Sequence, residues 1–290
     1  MHPLSRLGLL LTLPNILAGC SLATVSAIDT NSMLIDATQF SSTMSREINT
    51  CNRQFLKPEP IAAQGFDPAR IELLNWNIKK GQMPDWQSDL TLLGEGKQLV
   101  LIQEATQSMR DSSALPTSSI WNFAPGYSSR KGITGVATAS QIKPLSACKL
   151  TAYEPWSRTP KATSITKFAL SDSPLSLLVV NTHLINFALG LTDYRDQLSA
   201  ISAVLHRHSG PVIISGDFNT WRPGRYKLLD AFFTDLGFEE ITFAKDRRLR
   251  FFGSTLDHIF VAGISVLQSE THEVSSSDHN PMTLSMSVEI

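Results

Sequence analysis

The chain has 290 residues, 42% of them hydrophobic, with 25 basic against 26 acidic side chains and three cysteines. That supports one large domain with a leader, or two small domains. The balanced charge excludes a whole-molecule basic field for nucleic acid, so any such contact must be local. No internal run approaches the roughly 20 apolar residues of a membrane-spanning helix.

At the amino terminus His2 and Arg6 flank the start of Leu7–Leu13, and Pro14-Asn15 precedes Ile16-Leu17-Ala18-Gly19-Cys20. A short basic start, an apolar stretch and small residues predict an export signal. Leu17–Cys20 is similar to a bacterial lipoprotein box, with Cys20 as the lipidated first mature residue and a tether that needs no spanning helix. The alternatives are cleavage after Val25-Ser26-Ala27, or an uncleaved segment interrupted by Pro14-Asn15. We therefore read residues 1–20 as a signal peptide, 21–69 as a linker or N-terminal arm, and 70–290 as the folded domain. The arm is rich in Ser, Thr and Asn and contains Pro58 and Pro60. The expected location is the periplasm or a membrane-anchored position in the cell envelope, with the cytoplasm as the alternative. With Cys20 lipidated, Cys51 and Cys148 remain as an even pair. An oxidising compartment would let them bridge, but spacing alone does not decide between a bridge and two free thiols. No Cys/His zinc pattern exists.

In the domain, Ile71–Ile78 reads as a strand giving way to Asn77 and Lys79-Lys80-Gly81, and Trp86–Leu93 as a helix. Leu99–Glu104 is a buried-type strand ending in a carboxylate, which is costly without a partner. Strands are predicted at Gly135–Ser140 and Thr163–Leu170. Between them Trp156-Ser157-Arg158-Thr159-Pro160-Lys161 forms a candidate anion-facing loop. Leu177–His183 is again a strand with a polar end. Thr192–His208 is the clearest helix, with Tyr194, Leu198, Ile201 and Leu205 on one face, Thr192 as its cap and Gly210 as its stop. His206 and His208 fall in its last turn, where cations suit the helix dipole. Val212-Ile213-Ile214 then runs into Ser215-Gly216-Asp217-Phe218-Asn219. Asp230–Phe238 is predicted as a short helix, Leu256–Val261 and Met282–Val288 as strands, and Ser275–Pro281 as a loop.

Four buried-type strands thus end in Asn77, Glu104, His183 and Asp217/Asn219, and two Asp-His pairs follow. Ligand sites of α/β proteins gather at the carboxyl ends of strands. NWNIKKG, LIQE, VNTH, SGDFN, LDHIF and SSDHNP, in this order, resemble the endonuclease/exonuclease/phosphatase superfamily over about residues 70–290. Its members include deoxyribonuclease I-like and exonuclease III-like nucleases, neutral sphingomyelinases and inositol-polyphosphate 5-phosphatases. The resemblance implies an α/β fold, a four-layer α/β/β/α sandwich of two mixed β-sheets flanked by helices.

It also implies roles. Glu104 corresponds to the main Mg²⁺ ligand (Mn²⁺ being the alternative ion), with Asn77 beside it and Asp278 completing the metal and water shell. His279 corresponds to the general base or orienter of the attacking water, and Asp257 would hold its imidazole. Asp217 and Asn219 would position the nucleophile and a phosphate oxygen. His183 would stabilise the pentacoordinate phosphorane or assist the leaving oxygen. His258 is a supporting neighbour, at a place where many relatives carry Tyr or Arg. The structural alternatives are a salt bridge for Glu104, a surface-loop histidine for His279 and a cap for Asp257. Lys245, Arg247, Arg248 and Arg250 with Phe251-Phe252, and Arg158, Arg222 and Arg225, would track a nucleic-acid backbone; the alternative is a solvated basic loop with core aromatics. The expected activity is metal-dependent phosphodiester hydrolysis by a monomer, with DNA or RNA as substrate. A phospholipid or phosphoinositide substrate is the alternative. A silent binding module is the third reading, and the intact motif set argues against it.

Overall fold

The structure is a computed structural model that describes residues 26–27, 40–56, 64–115 and 119–288. The signal-peptide segment and Cys20 lie outside the described residues. The elements begin with β1 (Ser26–Ala27), α1 (Phe40–Phe55), β2 (Ile71–Asn77), α2 (Trp86–Gly94), β3 (Leu99–Thr106), β4 (Ile120–Ser129) and β5 (Gly132–Ser140). Next come β6 (Ser146–Tyr153), β7 (Pro160–Ala169), β8 (Ser176–His183), α3 (Thr192–Leu205), β9 (Val212–Asp217) and α4 (Pro223–Asp235). The chain ends with β10 (Glu239–Glu240), β11 (Arg250–Phe251), β12 (Ser254–Thr255), β13 (Asp257–Ala262), β14 (Ile264–Thr271) and β15 (Met282–Val288).

Two mixed sheets stack face to face. One has seven strands in the order β1-β4-β5-β3-β2-β15-β14, the other six in the order β10-β13-β9-β8-β7-β6. The central pairs β2–β3 and β8–β9 are parallel and the rest antiparallel. This is the four-layer sandwich expected from the resemblance. Period two along each strand explains the layers. Leu73, Leu99, Leu101, Val179, Ile213 and Ile259 face the other sheet and fill the space between the two. Leu74, Val100 and Ile102 face α2, while Leu178, Val180, Ile214 and Phe260 face the other helices.

The inward-facing series turns polar towards one end. Leu73 is followed by Asn75 and Asn77, Leu101 by Gln103, Val179 by Asn181 and His183, Ile213 by Ser215 and Asp217. Gln103 donates to Asn75 (2.8 Å) and to Asn181 (2.7 Å), and Asn181 donates to the Ala137 carbonyl (2.8 Å), so a buried amide chain ties one sheet to the other.

Part of the segment read as a linker is ordered. Met44, Ile48, Cys51 and Phe55 form one face of α1, which packs on the six-stranded-sheet side of the core. Cys51 and Cys148 form a disulfide, with Cα atoms 5.4 Å apart. Three local expectations need correction. The helix predicted at 230–238 starts earlier, because Pro223 opens it at the first turn and supplies a preset φ. Thr192 does not cap α3; Leu191 holds the N-cap position without a side-chain bond. His208 lies beyond Leu205, where α3 ends, and not in its last turn; burial also pushes it below its ordinary value despite the Pro211 carbonyl beside it. Strands β4, β6 and β14 were not anticipated.

Candidate active site

Three neighbouring strands place their polar ends in register. His183 of β8 pairs with Asp217 of β9, and Asp217 pairs with Asp257 of β13. All three continue the inward-facing rows, so the same alternation that builds the core aims them at the opposing sheet. Gly216 makes the close spacing possible: its φ is +151°, and a Cβ there would lie 1.9 Å from the Thr182 carbonyl oxygen.

From the seven-stranded sheet come Asn77 and Glu104. Asn77 ends β2 and donates from Nδ2 to Asp217 Oδ2 at 3.0 Å. Glu104 would point away from the other sheet by strict alternation. It does not, because β3 carries a bulge: its pairing with β5 shifts between Ile102 and Ala105, and Glu104 adopts φ +53°. A bulge that re-aims one side chain is a common device beside active sites. Glu104 then lines a cleft of about 170 Å³ together with Lys80, Lys161 and His183.

His279 and Asp278 arrive on the loop before β15. That loop is pinned from below, since Trp76 donates to the His279 carbonyl (2.9 Å) and Ser277 to the Asn77 carbonyl (2.7 Å). His279 Nδ1 donates to Asp257 Oδ2 at 2.7 Å, which leaves Nε2 facing Asp217 Oδ2 at 4.0 Å. Burial alone would lower His279, but Asp257, Asp217 and Asp278 outweigh it and raise the ring to about 10. Asp217 is pushed up to about 6 by burial, with Asp257 adding to the rise and His279 opposing it. Asp217 Oδ1 accepts the Asn219 backbone N–H (2.9 Å) in a tight turn, while Oδ2 of the same carboxylate faces Asn77, His183 and His279. Asn219, at φ +52°, spends its amide on the Leu184 carbonyl (2.9 Å) and so tethers the loop after β8.

The residues expected to hold a metal offer only oxygens on their coordinating side: the carboxylates of Glu104 and Asp278 and the amide of Asn77. Among the described residues no group of three or more His, Cys, Asp or Glu side chains gathers as a metal cage. Two carboxylates and an amide fit a hard cation that keeps several waters. The salt-bridge alternative for Glu104 is also realised, because Lys80 Nζ lies 3.0 Å from Oε2, and Lys79 Nζ lies 3.0 Å from Asp278 Oδ2.

The basic residues separate. Arg158, at φ +56°, lies over the Tyr153 ring (5.7 Å) at the cleft edge. Arg222 stacks on Trp221 (4.3 Å) and donates to the Leu189 carbonyl (2.9 Å). Arg247 is paired with Glu273. Arg248 is not free for substrate: its guanidinium grips Asp246 through two bonds of 3.0 Å and also meets Glu240 and the Asp257 carbonyl. Arg250 is taken by the same Asp246. The aromatics are not core either, as Phe251 and Phe252 are 50% and 83% exposed.

Two buried charges act as supports: Arg225, expected at a nucleic-acid backbone, is turned inward instead, and Glu154 was not anticipated. Arg225, fully buried, donates to the carbonyls of Ile185, Asn219 and Ala188. Glu154 accepts the backbone N–H groups of Asn186 (2.6 Å) and Phe187 (2.7 Å). Neither carries a sequence signal for this role beyond being a charge, because, Asn219 apart, their partners lie 30 or more residues away. Behind Asp257, His258 bonds Glu240 through Nδ1 (2.6 Å) and Thr220 through Nε2 (2.7 Å). Thr220 also donates to the Thr255 carbonyl. Burial raises Glu240, but hydrogen bonds from His258, Tyr226 and Arg248 hold it at about 2. Its folded value lies below the ordinary 4.5. The stabilisation is therefore complete above pH 4.5 and is lost as pH falls through about 2. Glu240→Gln is expected to cost on the order of 3 kcal/mol at pH 7. Urea unfolding from pH 7 to pH 2 should show the gap to wild type closing in that window; a gap independent of pH would refute the assignment.

The chain matches the model of the Endonuclease/Exonuclease/phosphatase family over residues 74–279. It is 36% identical over 226 residues to a UPF0294 protein of Vibrio parahaemolyticus, covering 77% of this chain and 79% of that one. Among solved structures it superposes on the human Nocturnin catalytic domain with TM-score 0.59 at 17% identity, covering 78% and 96% of the two chains. It superposes on ANGEL2, a 2',3'-cyclic phosphatase, with TM-score 0.59 at 14% identity, covering 78% and 97%. The structures show the likeness of fold, the family match spans the cleft's motifs from Asn75 to His279, and the chain belongs to the endonuclease/exonuclease/phosphatase family.

Proposed function

We propose that the protein is a divalent-metal-dependent phosphodiester hydrolase that uses in-line attack of water, with nucleic acid as its first substrate class. The observation that carries this reading is the Asp257–His279 pair standing beside Asp217, which the Asn77 amide meets from the other sheet. Mg²⁺ bound by Glu104 and Asp278, with Asn77 adjoining, would supply charge neutralisation for the phosphate oxygens. Asp257 fixes the tautomer of His279 so that Nε2 faces the attacking water. Asp217 and Asn219 hold the loop on which water and phosphate are aligned. The disulfide supports an oxidising compartment, and with it the reading of an exported chain.

A specific observation favours phospholipid as the second substrate reading. Phe187, Leu189, Phe251 and Phe252 are exposed on loops flanking the His183 and Asp257 strand ends, while the nearby Arg247, Arg248 and Arg250 are neutralised by carboxylates. Purified protein with Mg²⁺ is expected to cut plasmid DNA or RNA and to stop on chelation. Intact nucleic acid with sphingomyelin hydrolysed would establish the second reading, and inertness towards every phosphodiester would remove both.

A further inference from the structure

Lys161 is the cation of the cleft that none of the roles above employs. It is the second residue of β7, is half-buried, and lines the same small cavity as Glu104 and His183. The two other lysines of this region are each neutralised, Lys79 by Asp278 and Lys80 by Glu104. Among the described residues no carboxylate contacts Lys161 directly; its hydrogen-bond partner is His183, with Nζ 2.7 Å from Nε2.

The direction of that bond decides what His183 can do. An ammonium has three donors and no acceptor. With Lys161 as an ammonium, the Nε2 it meets must accept, and the ring is neutral with its proton on Nδ1. The rival partner of Nε2 is Asp217 Oδ2, but at 3.4 Å that contact is much the longer, and Oδ2 already receives the Asn77 amide at 3.0 Å. Burial first, then the charges of Lys161, His279 and Lys80, push His183 well below the ordinary histidine value, in agreement with a neutral ring. Burial also lowers Lys161, while Asp217, Glu104 and Glu154 favour its charge and Lys80 opposes it.

His183 in this state has no Nε2 proton to offer a phosphate, whereas Lys161 keeps two N–H donors beyond the one His183 takes. We propose that Lys161 is the catalytic cation that meets the phosphoryl oxygens, and that His183 is a positioning residue that acts by aiming it. This rests on the hydrolase reading above and reverses the role that the family resemblance gives His183. In the step concerned, the water oxygen bonds to phosphorus as the bond from phosphorus to the leaving oxygen breaks. The water proton passes to His279 and the leaving oxygen takes a proton from solvent. Lys161 transfers nothing; its charge offsets the negative charge that grows on the non-bridging oxygens.

A double-mutant cycle on the full chain tests this, with bis-p-nitrophenyl phosphate and Mg²⁺ for turnover and inorganic phosphate as the binding probe in calorimetry. Lys161→Met is expected to lower kcat by roughly 10²–10³-fold, more than it changes KM, and to weaken phosphate binding. Lys161→Arg restores part of both. His183→Ala lowers kcat in the wild type but by less than about threefold in the Lys161→Met background, because its effect runs through the missing ammonium. Independent, multiplying effects would overturn the proposal while leaving the hydrolase reading intact. A wild type inert towards the diester removes the hydrolase reading and the proposal with it. Nitrogen-15 histidine spectra of the wild type need no variant and no turnover: an unprotonated Nε2 on His183 is expected, and a protonated one refutes the proposal.

Discussion

His279→Ala is expected to lower turnover by roughly 10³–10⁴-fold with little change in KM, the upper range for loss of a positioned acid–base group. The ring touches no other catalytic atom as closely as Asp257, at 2.7 Å, and its Nε2 is left facing Asp217. The pH profile gives the sharper signature. Burial lowers the ring's proton affinity, but three carboxylates raise it to about 10. Because the base form lies on the alkaline side, wild-type kcat/KM should rise with pH along a limb displaced above 6.5, the ordinary histidine value. A divalent cation near Asp278 offsets part of that negative charge and draws the limb back towards neutrality. His279→Ala should abolish the limb. A variant within tenfold of wild type, or one that keeps the limb, would exclude His279 as the base.

Glu104→Gln is expected to cost roughly 10³-fold in turnover, consistent with several kcal/mol of transition-state charge stabilisation. Half-saturation by Mg²⁺ should rise at least about tenfold, in keeping with the weakening of a small ligand set. Stability should barely change. The Lys80–Glu104 pair is partly exposed, and such pairs contribute about 0–1 kcal/mol. The left-handed backbone at residue 104 strains Gln as it strains Glu. Titration of activity with Mg²⁺, with a melting curve alongside, separates these effects. An unchanged Mg²⁺ dependence would assign Glu104 to the ion pair alone.

The strands that carry the site were legible because each is an apolar run with an abrupt polar end, and burial of the run leaves the polar residue nowhere to go but a site. Leu177–His183 and Val212–Asp217 show this directly. Glu104 was legible by resemblance, whereas the bulge that aims it was not, since a register shift depends on the partner strand β5. The helix α1 was overlooked although Met44, Ile48, Cys51 and Phe55 recur at helical spacing; the surrounding Ser, Thr and Asn obscured it. Arg248 was misread as available because a basic run reports charge, not the acid that meets it, and Asp246 sits inside the run itself. Lys161 stood in a loop marked as anion-facing, but its bond to His183 joins two strands and no local pattern signals it.

The amide chain from Asn75 through Gln103 to Asn181 has a bearing on tolerance. Catalytic groups here are divided between two sheets that, apart from this chain and the Asn77–Asp217 bond, meet largely through apolar side chains. Apolar surfaces are slippery: they resist separation far more than they resist sliding, because a small translation changes little buried area. Hydrogen bonds of 2.7 and 2.8 Å are directional and degrade within a few tenths of an ångström. They act as alignment pins, holding the two sheets as one instrument with a fixed zero. An enzyme of this build can lose its calibration while remaining fully folded, since a displacement of about 1 Å at the reacting atoms costs roughly 10²-fold in rate.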